Sequence, residues 1–233
     1  MNNVKLLNEN WTLKYNGENL KATVPGDVTL DLYANGKIKN PYFGINHKDL
    51  HWVTDTDFEY VNVFDLPDNI FNEEEILLEF DGIDTFSEIT LNGTFLGKTE
   101  NMFLKHSYSV KDLLKRNGNE LVVKMLSTTK KMEEINDEGY FGVFNTKRLF
   151  IRKAQCHFGW DWAPDMPGYG ICGKVSVCGV KRCRLDNAHY KAANDGNISL
   201  FVDLNYTIRP QMDFNGRIIK EPDEELKKDV LRY

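Results

Sequence analysis

The sequence predicts an all-β protein built as a jelly-roll β-sandwich, in which two antiparallel sheets share one core. Short runs of alternating or β-branched residues recur along the chain, and turn residues separate them every eight to twelve positions or so. Helical spacing is confined to two short segments, at residues 110–116 and 221–233. Sandwiches and jelly rolls produce this pattern because each strand packs one face on the core before a turn reverses the chain.

The strands can be read directly from the first half of the chain. The predicted strands are WTLKY, FEYVNVFDL, EILLEF, SEITL and ELVVKML, each bounded by Gly, Asn, Asp or Pro. Trp11 alternates with apolar neighbours in the first of them, so we expect it in the core. Within SEITLNGTFLG, Asn92 and Gly93 form the dipeptide that accepts positive φ at both centres of a type I′ turn, which predicts a tight hairpin.

A domain boundary is predicted near the basic run KRCR, which follows the strand-like KVSVCGV. Residues 1–180 would form the jelly roll, and its long early segment NGKIKNPYFGINHKDLHWVTDTD, which lacks a strand period, would wrap the outside. Residues 181–233 would begin an immunoglobulin-like sandwich. Such a domain takes roughly 100 residues, so this second domain would be incomplete.

Composition excludes several classes of function. A net charge of -6 with scattered cations argues against nucleic acid as a partner, and no apolar run is long enough for a membrane span. The opening MNNVKLLNENWTLKYNG lacks the apolar core of a signal peptide, so we expect a cytoplasmic location. The four cysteines lack a C-x-x-C pair, which favours free thiols and neither a metal nor a cofactor.

The segment QCHFGWDWAPDMPGYG, at residues 155–170, has the composition of a sugar-binding loop. Trp160 and Trp162 offer wide apolar plates, and Asp161 between them can accept from two hydroxyl groups. Side chains alternate along an extended chain, so all three can meet one ligand only if the backbone bends. Gly159 and Pro164 favour such a projecting corner.

Structural roles compete with binding at each of these positions. One tryptophan could close the end of the sandwich while Asp161 caps a turn. Trp52 could cover the core or bind a ligand, and His157 more simply satisfies a local hydrogen bond. Arg152 and Lys153 could fix a carboxylate or shield Asp161, or they could lie on a solvated strand edge.

Several separate motifs, in the same order along residues 11 to about 180, resemble the amino-terminal region of β-mannosidases of glycoside hydrolase family two. These motifs are VPGDVTLDLYANGKIKNPYFG, LEFDGIDTFSEITLNGTFLG, NMF and QCHFGWDWAP. The resemblance implies a jelly-roll, galactose-binding-domain-like fold, followed by an immunoglobulin-like sandwich and then a (β/α)8 barrel that carries two catalytic glutamates.

The resemblance also implies roles for the tryptophan segment. In the family this loop leans over the mouth of the barrel and helps to hold the terminal mannose. Trp160 would then be an aromatic wall and Asp161 a hydroxyl acceptor, whereas Trp162 would support the packing and has the weaker claim to contact the substrate. The partner would be a carbohydrate, with β-galactosidase-like and β-glucuronidase-like specificities also open.

A retaining glycosidase needs two carboxylates about 5 to 5.5 Å apart, and the barrel that would hold them takes roughly 250 residues. A jelly roll of about 180 residues leaves too little of the 233-residue chain for this barrel. We therefore expect no catalytic residue in the chain and no activity from the chain alone, which would instead dock onto the missing domains. The alternatives are a stand-alone carbohydrate-binding module and a purely structural sandwich.

Overall fold

A computed structural model describes residues 3–181, 183–206, 211–212 and 218–220. The strands, in chain order, are β1 (Asn3–Leu6), β2 (Trp11–Tyr15), β3 (Glu18–Ala22), β4 (Phe58–Phe64), β5 (Glu75–Phe80), β6 (Phe86–Leu91), β7 (Thr94–Glu100), β8 (His106–Ser109), β9 (Asn119–Met125), β10 (Phe158–Trp160), β11 (Ala163–Asp165), β12 (Val175–Val180), β13 (Cys183–Ala192), β14 (Ile198–Tyr206), β15 (Gln211–Met212) and β16 (Ile218–Lys220). The α-helices are α1 (Val28–Ala34), α2 (His51–Thr54), α3 (Asp68–Phe71) and α4 (Thr128–Glu133).

Two antiparallel sheets form the body of the molecule. One has six strands in the order β3-β2-β4-β9-β6-β7, and the other has four in the order β1-β12-β5-β8. Both sheets place alternate residues in one continuous core, as the period-two pattern requires. Core residues of the larger sheet include Leu13, Tyr60, Ile89, Leu121 and Val123, and those of the smaller sheet include Ile76, Leu78, Phe80, Val175 and Val177. The predicted all-β jelly-roll sandwich is confirmed.

The local predictions for strand β2 and the β6–β7 turn are confirmed. Trp11 is only 2% exposed, in the core. Asn92 and Gly93 have φ values of 50° and 82° between β6 and β7, as a type I′ turn requires. Asn16 and Gly17 repeat this geometry between β2 and β3, with φ values of 48° and 77°. That second hairpin carries the same Asn-Gly dipeptide.

Of the two predicted helical segments, one is wrong and the other is not described. In the predicted helical segment 110–116, the structure has only a 3-10 turn at Lys111–Leu113, and residues 221–233 lie outside the described part of the chain. Instead α1 begins after Asp27, whose carboxylate accepts from the backbone N–H groups of Thr29 and Leu30. The long early segment, in which no strand was predicted, contains a 3-10 helix at Asn46–Leu50 followed by α2.

Beyond the two main sheets, β13 and β14 pair only with each other among the described strands. This long hairpin leaves Tyr190 72% exposed and Leu200 69% exposed. Strand β12 ends at Val180, and the domain boundary expected there stays a prediction. The immunoglobulin-like domain stays a prediction, because much of it falls on residues 207–233, most of which lie outside the described residues.

Candidate functional site

The tryptophan segment forms a small projecting hairpin. Strands β10 and β11 pair antiparallel, with Trp160 opposite Ala163, so that Asp161 and Trp162 are the two residues of the connecting turn. Gly159 has a φ of 88°, in the left-handed region that favours glycine. The hairpin is a separate two-stranded sheet. The sharp bend predicted for this segment is therefore a two-residue turn.

The two indoles and the carboxylate of the turn are open to solvent. Trp160 is 45% exposed and Trp162 is 71% exposed, so neither closes the end of the sandwich. Within the described part of the chain, the Asp161 side chain has no hydrogen bond or ion pair, which removes the expectation that it caps a turn. The tip of the hairpin thus presents two aromatic surfaces and an unengaged carboxylate.

Trp160 is supported from the side by the segment at residues 140–150. Its ring lies 5.3 Å from the ring of Phe144, measured between centroids. The guanidinium of Arg148 lies 5.5 Å from the centroid of each of these two rings, within the range of a cation–π contact. Arg148 is buried and donates to the backbone oxygen of Gln155 at 3.1 Å, whereas its Nε has no hydrogen-bond partner among the described residues.

The same segment carries an exposed aromatic surface, which we define as Tyr140, Phe141, Phe144 and Phe150. Phe141 is 88% exposed, and Tyr140 and Phe150 pack edge to face with 5.1 Å between centroids. Large aromatic side chains that stay exposed in one contiguous stretch are typical of an interaction surface. This surface continues into the hairpin through the contact between Phe144 and Trp160.

A buried ion pair lies beneath the hairpin. Lys153 is fully buried at its side chain, and its Nζ donates to Oδ2 of Asp84 and to the backbone oxygen of Gly168. Burial lowers the pKa of Lys153, and the adjacent Asp84 carboxylate opposes this change. Thr85 donates its hydroxyl to the other carboxylate oxygen of Asp84. Lys153 does not lie on a solvated strand edge, so that expectation is wrong. Its ammonium group instead fixes the carboxylate of Asp84.

His157 borders the same pair. Its Nδ1 lies 3.6 Å from Oδ2 of Asp84 and, among the described residues, accepts or donates no hydrogen bond, so the expected local bond is absent. Burial lowers the pKa of His157, as does the positive charge of Lys153, while Asp84 acts in the opposite direction. The imidazole is therefore biased towards its neutral form.

The chain after the hairpin returns to the sandwich through a glycine-rich segment. The backbone of Gly170 pairs with that of Asp84, in hydrogen bonds of 2.8 and 2.9 Å. A Cβ at Gly170 would stand 2.6 Å from the oxygen of Gly26, and one at Gly168 would stand 2.3 Å from Oδ2 of Asp27. Glycine is required at position 170 because its backbone runs so close to that of Gly26, whereas the atom nearest a Cβ at Gly168 belongs to a side chain.

Trp52 lies on a different part of the surface. It is half-buried, and its ring packs 5.5 Å from that of Tyr15 at the edge of the core. It also borders an open pocket of about 190 Å³ together with Lys37, Asn46 and Asp49. Of its two expected roles, the structure directly supports covering the core. Arg152, the neighbour of Lys153, is exposed.

Sequence reasoning singled out the hairpin residues and gave Lys153 alternative roles, but it missed Asp84 and Arg148. Asp84 stands 69 positions before Lys153, and only the fold brings them together.

Among the described residues, no group of three or more His, Cys, Asp or Glu could hold a metal ion, and no helix is long and apolar enough to cross a membrane. Cys156, Cys172 and Cys178 are free thiols.

Comparisons with known proteins agree on one family. A family model described as the glycosyl hydrolase 2 galactose-binding domain-like matches residues 11–173. Beta-mannosidase B of Emericella nidulans is 34% identical over 185 residues, which cover 74% of this chain and 22% of that protein. A probable beta-mannosidase of Caenorhabditis elegans is 32% identical over 72% of this chain and 20% of its own length.

Among solved structures, the crystal structure of a beta-D-mannosidase from Dictyoglomus thermophilum is similar with a TM-score of 0.82 and 37% identity. The match covers 88% of this chain and 26% of that protein. The chain therefore spans only about a fifth to a quarter of the length of these relatives.

Proposed function

The chain belongs to the galactose-binding-like domain family of glycosyl hydrolase family 2, and on that basis we propose that it is the non-catalytic amino-terminal part of a retaining, exo-acting β-glycosidase. The substrate that best fits the relatives is a terminal β-D-mannoside, since the compared proteins of at least 30% identity are β-mannosidases. The two catalytic carboxylates would lie on a (β/α)8 barrel outside this chain.

The observation that carries this proposal is the tip of the hairpin. Asp161 is exposed and unengaged between two exposed indoles, and large apolar side chains exposed side by side are typical of a binding surface. In the proposed role Trp160 packs against the C–H face of the pyranose. Asp161 accepts from its hydroxyl groups, and Trp162 supports the packing. The hairpin orients the sugar, and the barrel supplies the nucleophile and the acid/base.

The aromatic surface is the part of the chain that we expect to meet the barrel. Its side chains are exposed and adjoin the hairpin through Phe144. Arg148 at its base has a buried Nε without a hydrogen-bond partner among the described residues, and its charge has no carboxylate partner there. A barrel loop that brings a carboxylate to this point would satisfy both, because a buried cation is costly until it is paired.

The test is Asp161→Asn in the longer enzyme, with Asp165→Asn as its matched control. Asp165 is an exposed carboxylate on the same hairpin, on β11. Loss of hydrogen bonds to a charged acceptor costs about 1.5–3 kcal/mol, so we expect kcat/KM for an aryl β-mannoside to fall about 10- to 150-fold in the Asp161 variant only. An equal effect of both substitutions, or of neither, would refute the assigned role.

The chain alone should not turn over an aryl β-mannoside, and measurable hydrolysis by the purified chain would contradict the proposed division of labour. The same assay with aryl β-galactosides and β-glucuronides, applied to the longer enzyme, decides its specificity. Blotting an extract of the source cells with an antibody against the chain tests whether a longer enzyme exists, which we expect as a band well above 27 kDa.

A stand-alone carbohydrate-binding module is the second candidate, and the solvent-exposed tip of the hairpin favours it. This function predicts that mannose, titrated into the isolated chain, perturbs the Trp160 signal saturably and that Asp161→Asn abolishes the effect. A band at the mass of the chain itself in the source cells would support it over the hydrolase.

A further inference from the structure

We propose that Asp84 and Lys153 are positioning residues, whose buried contact sets the direction in which the tryptophan hairpin projects from the sandwich. The inference rests on the proposed function, because it gives the hairpin a ligand to be aimed at. It assigns to the two residues no contact with substrate.

Lys153 joins the two flanks of the hairpin. It lies five positions before β10, and its ammonium group donates to the backbone oxygen of Gly168, which lies three positions after β11. Met166 adds a second link, since its backbone N–H donates to the oxygen of His157 at 3.1 Å. The hairpin is thus closed at its base by one side chain and one backbone bond.

Asp84 joins this closed base to the sandwich. It stands two positions before β6, a strand of the six-stranded sheet. Its carboxylate accepts from Lys153, and its backbone pairs in both directions with Gly170. The side chain of Asp84 therefore holds the segment that enters the hairpin, at Lys153, and its main chain holds the segment that returns, at Gly170.

The hairpin needs such a base because its own sheet gives it little support. Two isolated strands of three residues each are marginal on their own. β10 and β11 pair with no other strand among those described. Trp160 has a lateral contact with Phe144, but Phe144 is itself 62% exposed. At its base, Phe158 of β10 packs in a buried cluster with Met132 and Ile151, so orientation is set where the hairpin leaves the sandwich.

The chemistry of the pair also favours a geometric role. Two buried charges lose their hydration, and their attraction mainly offsets that loss, so apolar side chains of the same volume would stabilise the fold at least as well. An ammonium group that donates to two named oxygens instead fixes distances and directions between three segments. Replacing the pair can therefore change the direction of the hairpin without lowering the stability of the fold, and an experiment can detect this difference.

The experiment uses the 233-residue chain labelled with 5-fluorotryptophan, whose four indoles give four fluorine NMR signals. Trp160→Phe and Trp162→Phe assign the two hairpin signals, and the buried Trp11 serves as an internal reference. The variants are Lys153→Met, Asp84→Asn and the double variant, each measured for its signals and its urea midpoint. Each single variant leaves one buried charge without its opposite charge, so we expect lower midpoints and displaced hairpin signals.

The double variant decides the matter. Removing both charges should return the midpoint towards that of the unmodified chain, while the signals of Trp160 and Trp162 stay displaced and that of Trp11 stays in place. A purely structural pair predicts that the hairpin signals return with the midpoint, and that result would overturn the proposal, as would signals that never move. Should a single variant fail to fold, the double variant still gives the answer.

Ser87→Ala is the matched control for lost stability. It removes the buried hydrogen bond of 2.8 Å between the hydroxyls of Ser87 and Thr99, within the six-stranded sheet. It should lower the midpoint without moving the hairpin signals, and displaced signals in this variant would count against a specific role for Asp84 and Lys153. No sugar enters these measurements, so their failure is distinct from a failure of Asp161→Asn in the enzyme assay.

Discussion

The carboxyl group of Asp31 makes the stability of the sandwich depend on pH in a direction opposite to that of most surface carboxylates. Asp31 is 2% exposed on α1, and it accepts from the backbone N–H of Thr23 at 2.9 Å and from the hydroxyl of Tyr60 at 3.0 Å. Burial raises its pKa from 3.8 to about 6, and the two hydrogen bonds only partly offset the effect. The nearby Asp27 carboxylate adds to the rise.

The sign and size of the effect follow from the two pKa values. Between pH 3.8 and about 6 the folded chain retains a proton that the unfolded chain releases, so stability is full below this window and falls through it. The difference between the two values, at about 1.36 kcal/mol per pH unit, corresponds to a loss of at most about 3 kcal/mol. Above pH 6 the loss is complete and stays constant.

Asp31→Asn removes the ionisation while it keeps an oxygen for the Thr23 N–H and offers an amide N–H to Tyr60. We expect the free energy of unfolding of this variant, relative to the unmodified chain, to rise by up to about 3 kcal/mol between pH 3.5 and 6.5. Urea titrations across that range measure it, with the exposed Asp165→Asn as control. A difference between Asp31→Asn and the unmodified chain that does not change with pH would refute the reasoning.

Two further substitutions test the turns and close approaches of the fold. Asn92→Ala should cost about 1–3 kcal/mol more in urea unfolding than Asn16→Ala. Both residues occupy the same position in a hairpin turn, but only the Asn92 side chain makes hydrogen bonds among the described residues, to Leu113, Asn119 and Glu120; equal losses would contradict this. Gly170→Ala should lower stability by about 2–4 kcal/mol, since its Cβ would stand 2.6 Å from a backbone oxygen, and a loss below about 0.5 kcal/mol would contradict the close approach.

Turn dipeptides and strand alternation predicted those parts of the fold that depend only on residues close together in the sequence. Asn92 and Gly93 specify their turn because the dipeptide itself tolerates positive φ, and Trp11 is buried because its strand alternates. Helix α1 carried the same kind of signal in its cap residue Asp27, but seven residues are too few for a helical period to stand out.

The base of the hairpin escaped prediction for a different physical reason. In the sequence, nothing distinguishes Lys153 from a lysine on the surface. Its partners Asp84 and Gly168 come close to it only when the two sheets pack. The buried position of Arg148 depends in the same way on the rings of Phe144 and Trp160. Sequence patterns report periodicity and turns, whereas such pairings are properties of the assembled sandwich.

Because of this dependence, the tryptophan hairpin cannot be transferred away from the sandwich without losing the contacts at its base. The eight residues 158–165 contain both indoles and the carboxylate, but their base is held by Asp84, which stands 74 positions before the first of them. A synthetic peptide of these residues, or their graft into another β-turn, would carry the chemical groups without the direction that the sandwich imposes. The smallest unit that keeps the hairpin together with its base is therefore the complete jelly roll.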